Sequence, residues 1–181
     1  RTIENGAFMG GSLYSTIKFP SNLEKIKGSA FEGKHGFTTL DFSEASALTD
    51  IEEKAFYDTD VSSPINFPRN LNKIGKNAFE KSPLSTVTFN SNLESIDNEA
   101  FKNIITLTAL NNLKVKTIGT SSFEGCQNMV AATIQILSSG KIGGNAFFKC
   151  YKLGSELEIL EAKDRKEDGT LIYSTIGGSA F

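Results

Sequence analysis

Leu71-Asn72-Lys73-Ile74-Gly75-Lys76-Asn77-Ala78-Phe79 carries the pattern on which the fold depends. Its kernel, Ile-x-x-x-(Ala/Ser)-Phe, occurs eight times: Ile3 to Phe8, Ile26 to Phe31, Ile51 to Phe56, Ile74 to Phe79, Ile96 to Phe101, Ile118 to Phe123, Ile142 to Phe147 and Ile176 to Phe181. The closing phenylalanines are separated by 23, 25, 23, 22, 22, 24 and 34 residues. A near-constant period of this size specifies a stack of small units, each burying its apolar face against the next.

Working upstream from the kernel, each period holds a stretch in which apolar and polar residues alternate. Examples are Thr16-Ile17-Lys18-Phe19, Thr39-Leu40-Asp41-Phe42, Pro64-Ile65-Asn66-Phe67 and Thr86-Val87-Thr88-Phe89. The series continues as Thr106-Leu107-Thr108-Ala109, Thr133-Ile134-Gln135-Ile136 and Glu156-Leu157-Glu158-Ile159. Period two is the signature of a half-buried strand. One strand per repeat predicts a parallel sheet along one face, with neighbouring strands about 4.8 Å apart. Pro20-Ser21-Asn22 and Pro68-Arg69-Asn70 suit the turn that follows. A Leu-x-x-Ile step then leads into the kernel, and Gly75, Gly119, Gly143 and Gly177 after the Ile suggest a tight bend.

Of 14 phenylalanines, eight close the kernel and four (Phe19, Phe42, Phe67, Phe89) end strands. Only Phe37 and Phe148 fall outside both columns. Equivalent positions in stacked coils overlie one another, so the columns predict aromatic ladders inside the stack. The small Ala before each Phe leaves room for the next coil.

Net charge is −2 with signs mixed along the chain, so no basic stripe is present to neutralise phosphates, and nucleic acid is not the expected partner. There is no run of 18 apolar residues to span a membrane. A phosphate loop, a Gly-x-Ser-x-Gly elbow and a His-Glu-x-x-His pair are all missing, which points away from an enzyme and from a bound cofactor. The chain starts and stops within the repeat pattern, without polar capping units, and so reads as one domain of about seven to eight repeats taken from a longer protein.

Strand, Leu-x-x-Ile-Gly-x-x-Ala-Phe and then Cys three residues on resembles the BspA-like leucine-rich repeat, also called the Treponema-type repeat. Ile118-Gly119 through Phe123-Glu124-Gly125-Cys126 and Ile142-Gly143 through Phe147-Phe148-Lys149-Cys150 fit it best. Lys34, Thr59, Ser82 and Ile104 depart from it at the Cys position. The resemblance implies a leucine-rich-repeat solenoid: a right-handed coil with a parallel β-sheet on one face and short turns or helical segments on the other. It further implies a non-enzymatic adhesion or protein-binding module at a cell surface or secreted, with a host matrix or neighbouring-cell protein as partner. A structural spacer projecting another domain, and an intracellular protein-interaction scaffold, are the alternatives.

Candidate sites follow by exclusion, because the repeating residues are committed to stacking. The exposed strand columns are the first candidate: Thr16, Thr39, Pro64, Thr86, Thr106, Thr133 and Glu156, beside Lys18, Asp41, Asn66, Thr88, Thr108, Gln135 and Glu158. Repeat proteins use such platforms for partners, although Thr is also simply a good exposed strand residue. The second candidate is the stretch 160–172, which lengthens the last repeat and places Lys163, Asp164, Arg165 and Lys166 in a charged loop. Its flanks, Glu156 to Leu160 and Leu171 to Ser174, could pair as a hairpin. Asp164, Glu167 and Asp168 do not have EF-hand spacing, so no metal is expected. Cys126 and Cys150 occupy one slot in consecutive repeats, where either a disulfide or two buried thiols is geometrically open. The resemblance favours thiols. His35, the single histidine, lies in a Gly-rich turn with no catalytic partner in view.

Overall fold

Each kernel isoleucine ends a short strand that pairs, in parallel and in register, with the isoleucine one coil away. The computed structural model describes residues 1–11, 16–154, 156–161, 164–165, 171–172 and 175–181. Ile3 pairs with Ile26, Ile26 with Ile51, Ile51 with Ile74 and Ile74 with Ile96. Ile118 stands between Ile96 and Ile142, and Ile142 pairs onward with Ile176. The kernel is therefore itself a strand ladder. The alternating stretches form another in two sections: Ile17–Lys18 with Leu40–Asp41, and separately Ile65–Asn66, Thr86–Thr88, Ala109–Ile118, Ala131–Ile142 and Glu156–Glu161. The expected single strand per repeat thus becomes two in the early coils. In Ala109–Ile118 and Ala131–Ile142, of 10 and 12 residues, one long strand serves both ladders. The rest of each coil is turn, and no helix occurs among the described residues.

The turn that carries Ala-Phe is the most regular part of the coil. The Phe31, Phe56, Phe79, Phe101 and Phe123 amides each donate to the carbonyl before the next Phe (Ala55, Ala78, Ala100, Ser122 and Ala146), at 2.8 Å each. These bonds satisfy buried backbone groups that a turn would otherwise leave unpaired. Phe rings consequently overlie one another. The spine Phe8–Phe31–Phe56–Phe79–Phe101–Phe123–Phe147–Phe181 is stacked at centroid spacings of 5.0, 5.1, 5.1, 5.3, 5.2, 5.2 and 5.4 Å. Inner rungs are fully buried, and Phe8 and Phe181 are about half exposed. Burying each inner ring contributes roughly 1.5–3 kcal/mol.

A shorter second ladder, Phe19–Phe42–Phe67–Phe89, meets the spine edge-on, as between Phe67 and Phe79 at 5.7 Å. Beyond Phe89 its place passes to Leu113 and Ile134, which pair with each other. Phe37 is not an outlier: it begins a buried column, Phe37, Val61, Leu84, Leu107 and Met129, just before the strands. Phe148 is exposed, with the Lys149 ammonium 5.3 Å from its ring centre.

Gly75, Gly119 and Gly143 are required by the neighbouring coil and not by a bend. None has a positive φ. A Cβ on Gly119 would lie 2.5 Å from the Asn98 amide nitrogen, and one on Gly75 2.6 Å from the Glu52 carbonyl carbon. Left-handed backbone falls elsewhere, two residues after the Phe (Gly33, Asp58, Lys81, Asn103, Gly125, Lys149) and three after the Ile (Ser29, Lys54, Asn77, Glu99, Ser121, Asn145).

The insertion is built differently from the expected hairpin. Glu156–Glu161 continues the parallel ladder, and the antiparallel pair is Asp164–Arg165 with Leu171–Ile172. Lys163 and Lys166 lie outside the described residues.

Candidate partner-binding face

The exposed strand columns do form one surface, with two corrections of register. Ala109, Leu110 and Asn111 pair with Thr86, Val87 and Thr88. Thr106 and Thr108 therefore lie before the strand, and Ala109 and Asn111 take their places. Their hydroxyls donate to backbone carbonyls of the previous coil, Thr106 to Leu84 at 2.9 Å and Thr108 to Ser85 at 3.0 Å. Thr133 faces Glu158 instead of sharing the Glu156 column, and Gln135 faces Leu160. Leu107 and Leu110 are both buried, as are Ala132, Ile134 and Ile136. Alternation alone cannot choose among such frames, because every second residue satisfies it.

A bulge adds to the difficulty. Leu110 pairs with Ala132 and Leu113 with Ile134, so Asn111 and Asn112 together oppose Thr133. Asn112 takes a φ of 57°, and this extra residue brings Leu113 into the column that Phe89 occupies one coil earlier.

The corrected face reads Thr16, Thr39, Pro64, Thr86, Ala109, Ala131 and Glu156, beside Lys18, Asp41, Asn66, Thr88, Asn111, Thr133 and Glu158. Lys18, Asn66, Asn111 and Thr133 are exposed. Thr39 and Ser63 share a hydroxyl hydrogen bond of 2.9 Å, and Asn111 donates weakly to the Thr88 hydroxyl at 3.4 Å. The Ser43 hydroxyl and amide hold the Asp41 carboxyl below its ordinary pKa, the amide at 3.0 Å. The face is largely polar and free of aromatic side chains among the described residues.

Two expectations outside the face are settled by geometry. Cys126 and Cys150 are free, buried thiols. Each donates to the Phe carbonyl one coil back, Cys126 to Phe101 and Cys150 to Phe123, both at 3.2 Å. Ser82 makes the same contact with Phe56 at 2.6 Å. Burial pushes the Cys150 thiol up to about 12 and raises Cys126 further, so neither is a nucleophile at neutral pH. His35 has a partner the sequence did not disclose: Asp60, one coil on. His35 Nδ1 lies 3.0 Å from Asp60 Oδ1, and the Gly36 amide donates to Asp60 Oδ2 at 2.8 Å. Both groups are half exposed, and the pair ties one turn to the next. No group of side chains suited to a metal ion occurs among the described residues.

A parallel ladder stacked in coils, a phenylalanine spine and a broad polar strand face define a leucine-rich-repeat solenoid. The chain belongs to the family described as the BspA type leucine rich repeat region, whose model matches residues 1–108 and 105–162 in 6 copies. Among solved structures it is similar to the pneumococcal vaccine antigen PcpA, at 28% identity and a TM-score of 0.61 over 74% of this chain and 35% of that one. It is also similar to a leucine rich cell surface protein from Faecalibacterium prausnitzii A2-165 (18% identity, TM-score 0.41, 84% of this chain and 61% of that chain). A third is a leucine-rich repeat protein from Bacteroides ovatus ATCC 8483 (19% identity, TM-score 0.36, 99% and 67%). The chain thus spans about a third of the pneumococcal antigen. A search of curated proteins found no match. No helix among the described residues is long and apolar enough to cross a membrane.

Proposed function

We propose that this chain is a non-enzymatic protein-binding module of a secreted or surface-exposed protein, acting in adhesion to a host matrix or neighbouring-cell protein. The observation that carries the reading is the strand face, paired over Ile17–Lys18 and Leu40–Asp41 and again from Ile65–Asn66 onward. Its backbone is fixed by ladder pairing, while its outward residues differ from coil to coil. A rigid platform loses little entropy on binding, and varied side chains on it supply specificity. Family membership and the similarity to a pneumococcal antigen support the surface setting. The non-enzymatic reading is supported by the buried, protonated cysteines and by family membership.

Surface plasmon resonance against immobilised matrix proteins tests this. Thr88→Arg and Asn111→Glu together should abolish any binding found, with the thermal midpoint unchanged. Binding that survives both changes would clear the face of the role. A panel with no binder would favour the spacer.

A further inference from the structure

The turn that follows each outer strand carries a feature that the strand face does not account for. Between Phe42 and Leu48 this turn has five residues, where the equivalent turns after Phe19, Phe67 and Phe89 have three. The longer turn still bonds to both neighbours, the Ala47 amide donating to the Ser21 carbonyl at 3.1 Å and the Asn70 side chain to the Ser46 carbonyl at 2.8 Å. The strand ladder is interrupted at the same place, since Leu40–Asp41 does not pair with Ile65–Asn66. Ring spacing in the second ladder widens there from 4.7 Å (Phe19–Phe42) to 5.8 Å (Phe42–Phe67). A hollow of about 530 Å³ opens in the gap, and a second of about 250 Å³ adjoins it through the shared wall residue Asn90. Together they make a groove across the coils.

The lining has a consistent chemistry. Asn66, Arg69, Asn70 and Asn90 line the first hollow, and Asn90, Asn92 and Lys114 the second. No carboxylate lines either. Glu44, on the long turn, is not part of the wall, and Glu94, on the strand of Asn92, is paired with Lys116 at 3.1 Å. Asn70 and Asn90 donate to the Ser46 and Phe67 carbonyls, which fixes their amide planes. The side chains of Asn66, Arg69, Asn92 and Lys114 are exposed and have no hydrogen-bond or ion-pair partner among the described residues. The rings beneath, Phe42, Phe67 and Phe89, are 0–3% exposed, and with Pro68 they floor the hollows.

We propose that this groove binds an acidic oligosaccharide, with Arg69 and Lys114 each receiving a sugar carboxylate and the asparagines bonding the hydroxyls between them. A primary amide presents a donor and an acceptor side by side, which matches a pair of neighbouring hydroxyls. Arg offers a carboxylate two parallel N–H donors. Arg69 and Lys114 stand two coils apart, roughly 10 Å at the usual strand spacing. A pyranose ring is about as long as one coil is thick, so a chain with an acid on alternate rings reaches both cations. An acidic peptide fits less well: it would gain the same charge contacts, but its backbone would leave the paired donors and acceptors of the asparagines less well matched than neighbouring hydroxyls do, and the aromatic anchors of protein recognition are missing. This groove lies on the turn edge, shares Asn66 with the strand face, and does not depend on that face binding a protein.

Isothermal titration calorimetry of the intact chain decides the matter. The probes are a glucuronate–N-acetylglucosamine hexasaccharide, the same sugar with its carboxyls reduced to alcohols, and a glutamate-rich peptide of equal charge. The acidic sugar should bind, and carboxyl reduction should weaken it about tenfold or more, the effect of one charge-assisted hydrogen bond. Arg69→Gln and Lys114→Gln, tested separately, should each do the same, and Asn92→Ala should weaken binding severalfold. Lys152→Gln, outside the groove, should leave it unchanged. These positions are exposed, so thermal midpoints should stay at the wild-type value, and either charge variant suffices if the other misfolds. Equal affinity for the reduced sugar, equal or tighter binding of the peptide, indifference to both charge variants, or no heat with any probe would overturn the proposal.

Discussion

The early coils and the later ones reach the same stacking by different means. Up to Phe89 each coil places a second phenylalanine at the strand end, and the outer strands hold two or three residues before the chain turns. From Ala109 onward that phenylalanine is replaced by Leu113 and Ile134, and the strand runs on for 10 or 12 residues. The spine beside them does not change: its spacing stays within 5.0–5.4 Å from end to end. The spine therefore sets the coil pitch. The outer strand is free to break, as between Asp41 and Ile65, or to bulge, as at Asn112. Both irregularities create surface: the first opens the asparagine-lined groove, and the second turns two asparagines outward.

The largest effects should expose this division of labour. Phe79→Ala removes a ring stacked on both sides, against Phe56 and Phe101, and should cost about 3–5 kcal/mol. Phe89→Ala removes a ring that is tilted against Phe67 and edge-on to Phe101, with no stacked neighbour, and should fall at or below the lower end of that range. Urea denaturation of both variants measures the difference. An equal or larger loss for Phe89→Ala would mean that the second ladder matters as much as the spine.

Glycine substitution makes a second contrast, between the positions one and two residues after the kernel isoleucine. Gly119→Ala drives a methyl to 2.5 Å from backbone of the previous coil, and should cost about 1–3 kcal/mol. Gly28→Ala meets its nearest atom, the Glu53 carbonyl oxygen, at 3.4 Å, and should cost about 1 kcal/mol or less. Thermal midpoints of the two proteins report the order directly. A reversed order would remove close approach as the reason for glycine after the isoleucine.

The repeat, the parallel stacking and the inward phenylalanines were all legible in the sequence, because they recur and a period of one coil is unambiguous. Register in the outer strand was not. Thr106-Leu107-Thr108 alternates as well as Ala109-Leu110-Asn111, and only pairing with Val87 decides between them. A signal was nevertheless present: Phe37, Leu84, Leu107 and Met129 each precede the next buried strand residue by three positions, and following that column gives the observed frame. The role of the kernel isoleucine as a strand was hidden for another reason. A two-residue strand has no alternation to read. The groove was hidden too, since it arises from two extra residues in one turn and a missing pair of backbone bonds.

Ser122 gives a smaller effect with the opposite sign. It stands in the alanine column of the spine, and its buried hydroxyl has no hydrogen-bond partner. Ser122→Ala keeps the backbone contact and removes an unsatisfied polar group, so it should stabilise the fold by about 1 kcal/mol. Ala100→Ser, one coil earlier, should destabilise by a similar amount. Differential scanning calorimetry would show the two midpoints moving apart. Movement in the same direction would mean that the hydroxyl is satisfied at one of the two sites.

The smallest effect belongs to the early coils, where His35 and Asp60 tie one turn to the next. The Gly36 amide first, and His35 second, hold the Asp60 carboxyl below its ordinary value of 3.8. A carboxyl whose pKa is lower folded than unfolded adds stability that is complete above the unfolded value. That stability is lost as pH falls through the folded one. Asp60→Ala should accordingly lower the urea midpoint at about pH 6, and its effect should shrink as pH falls below 3.8 toward about pH 2, as the wild-type carboxylate takes up its proton. Asp60 is half exposed, so solvent screens the contacts and the difference at neutral pH should be modest. The later coils have no such pair at this position: Ile105, Gln127 and Tyr151 stand where His35 and Asp60 do. A wild-type advantage that persisted undiminished at about pH 2 would show that Asp60 acts through packing and not through its charge.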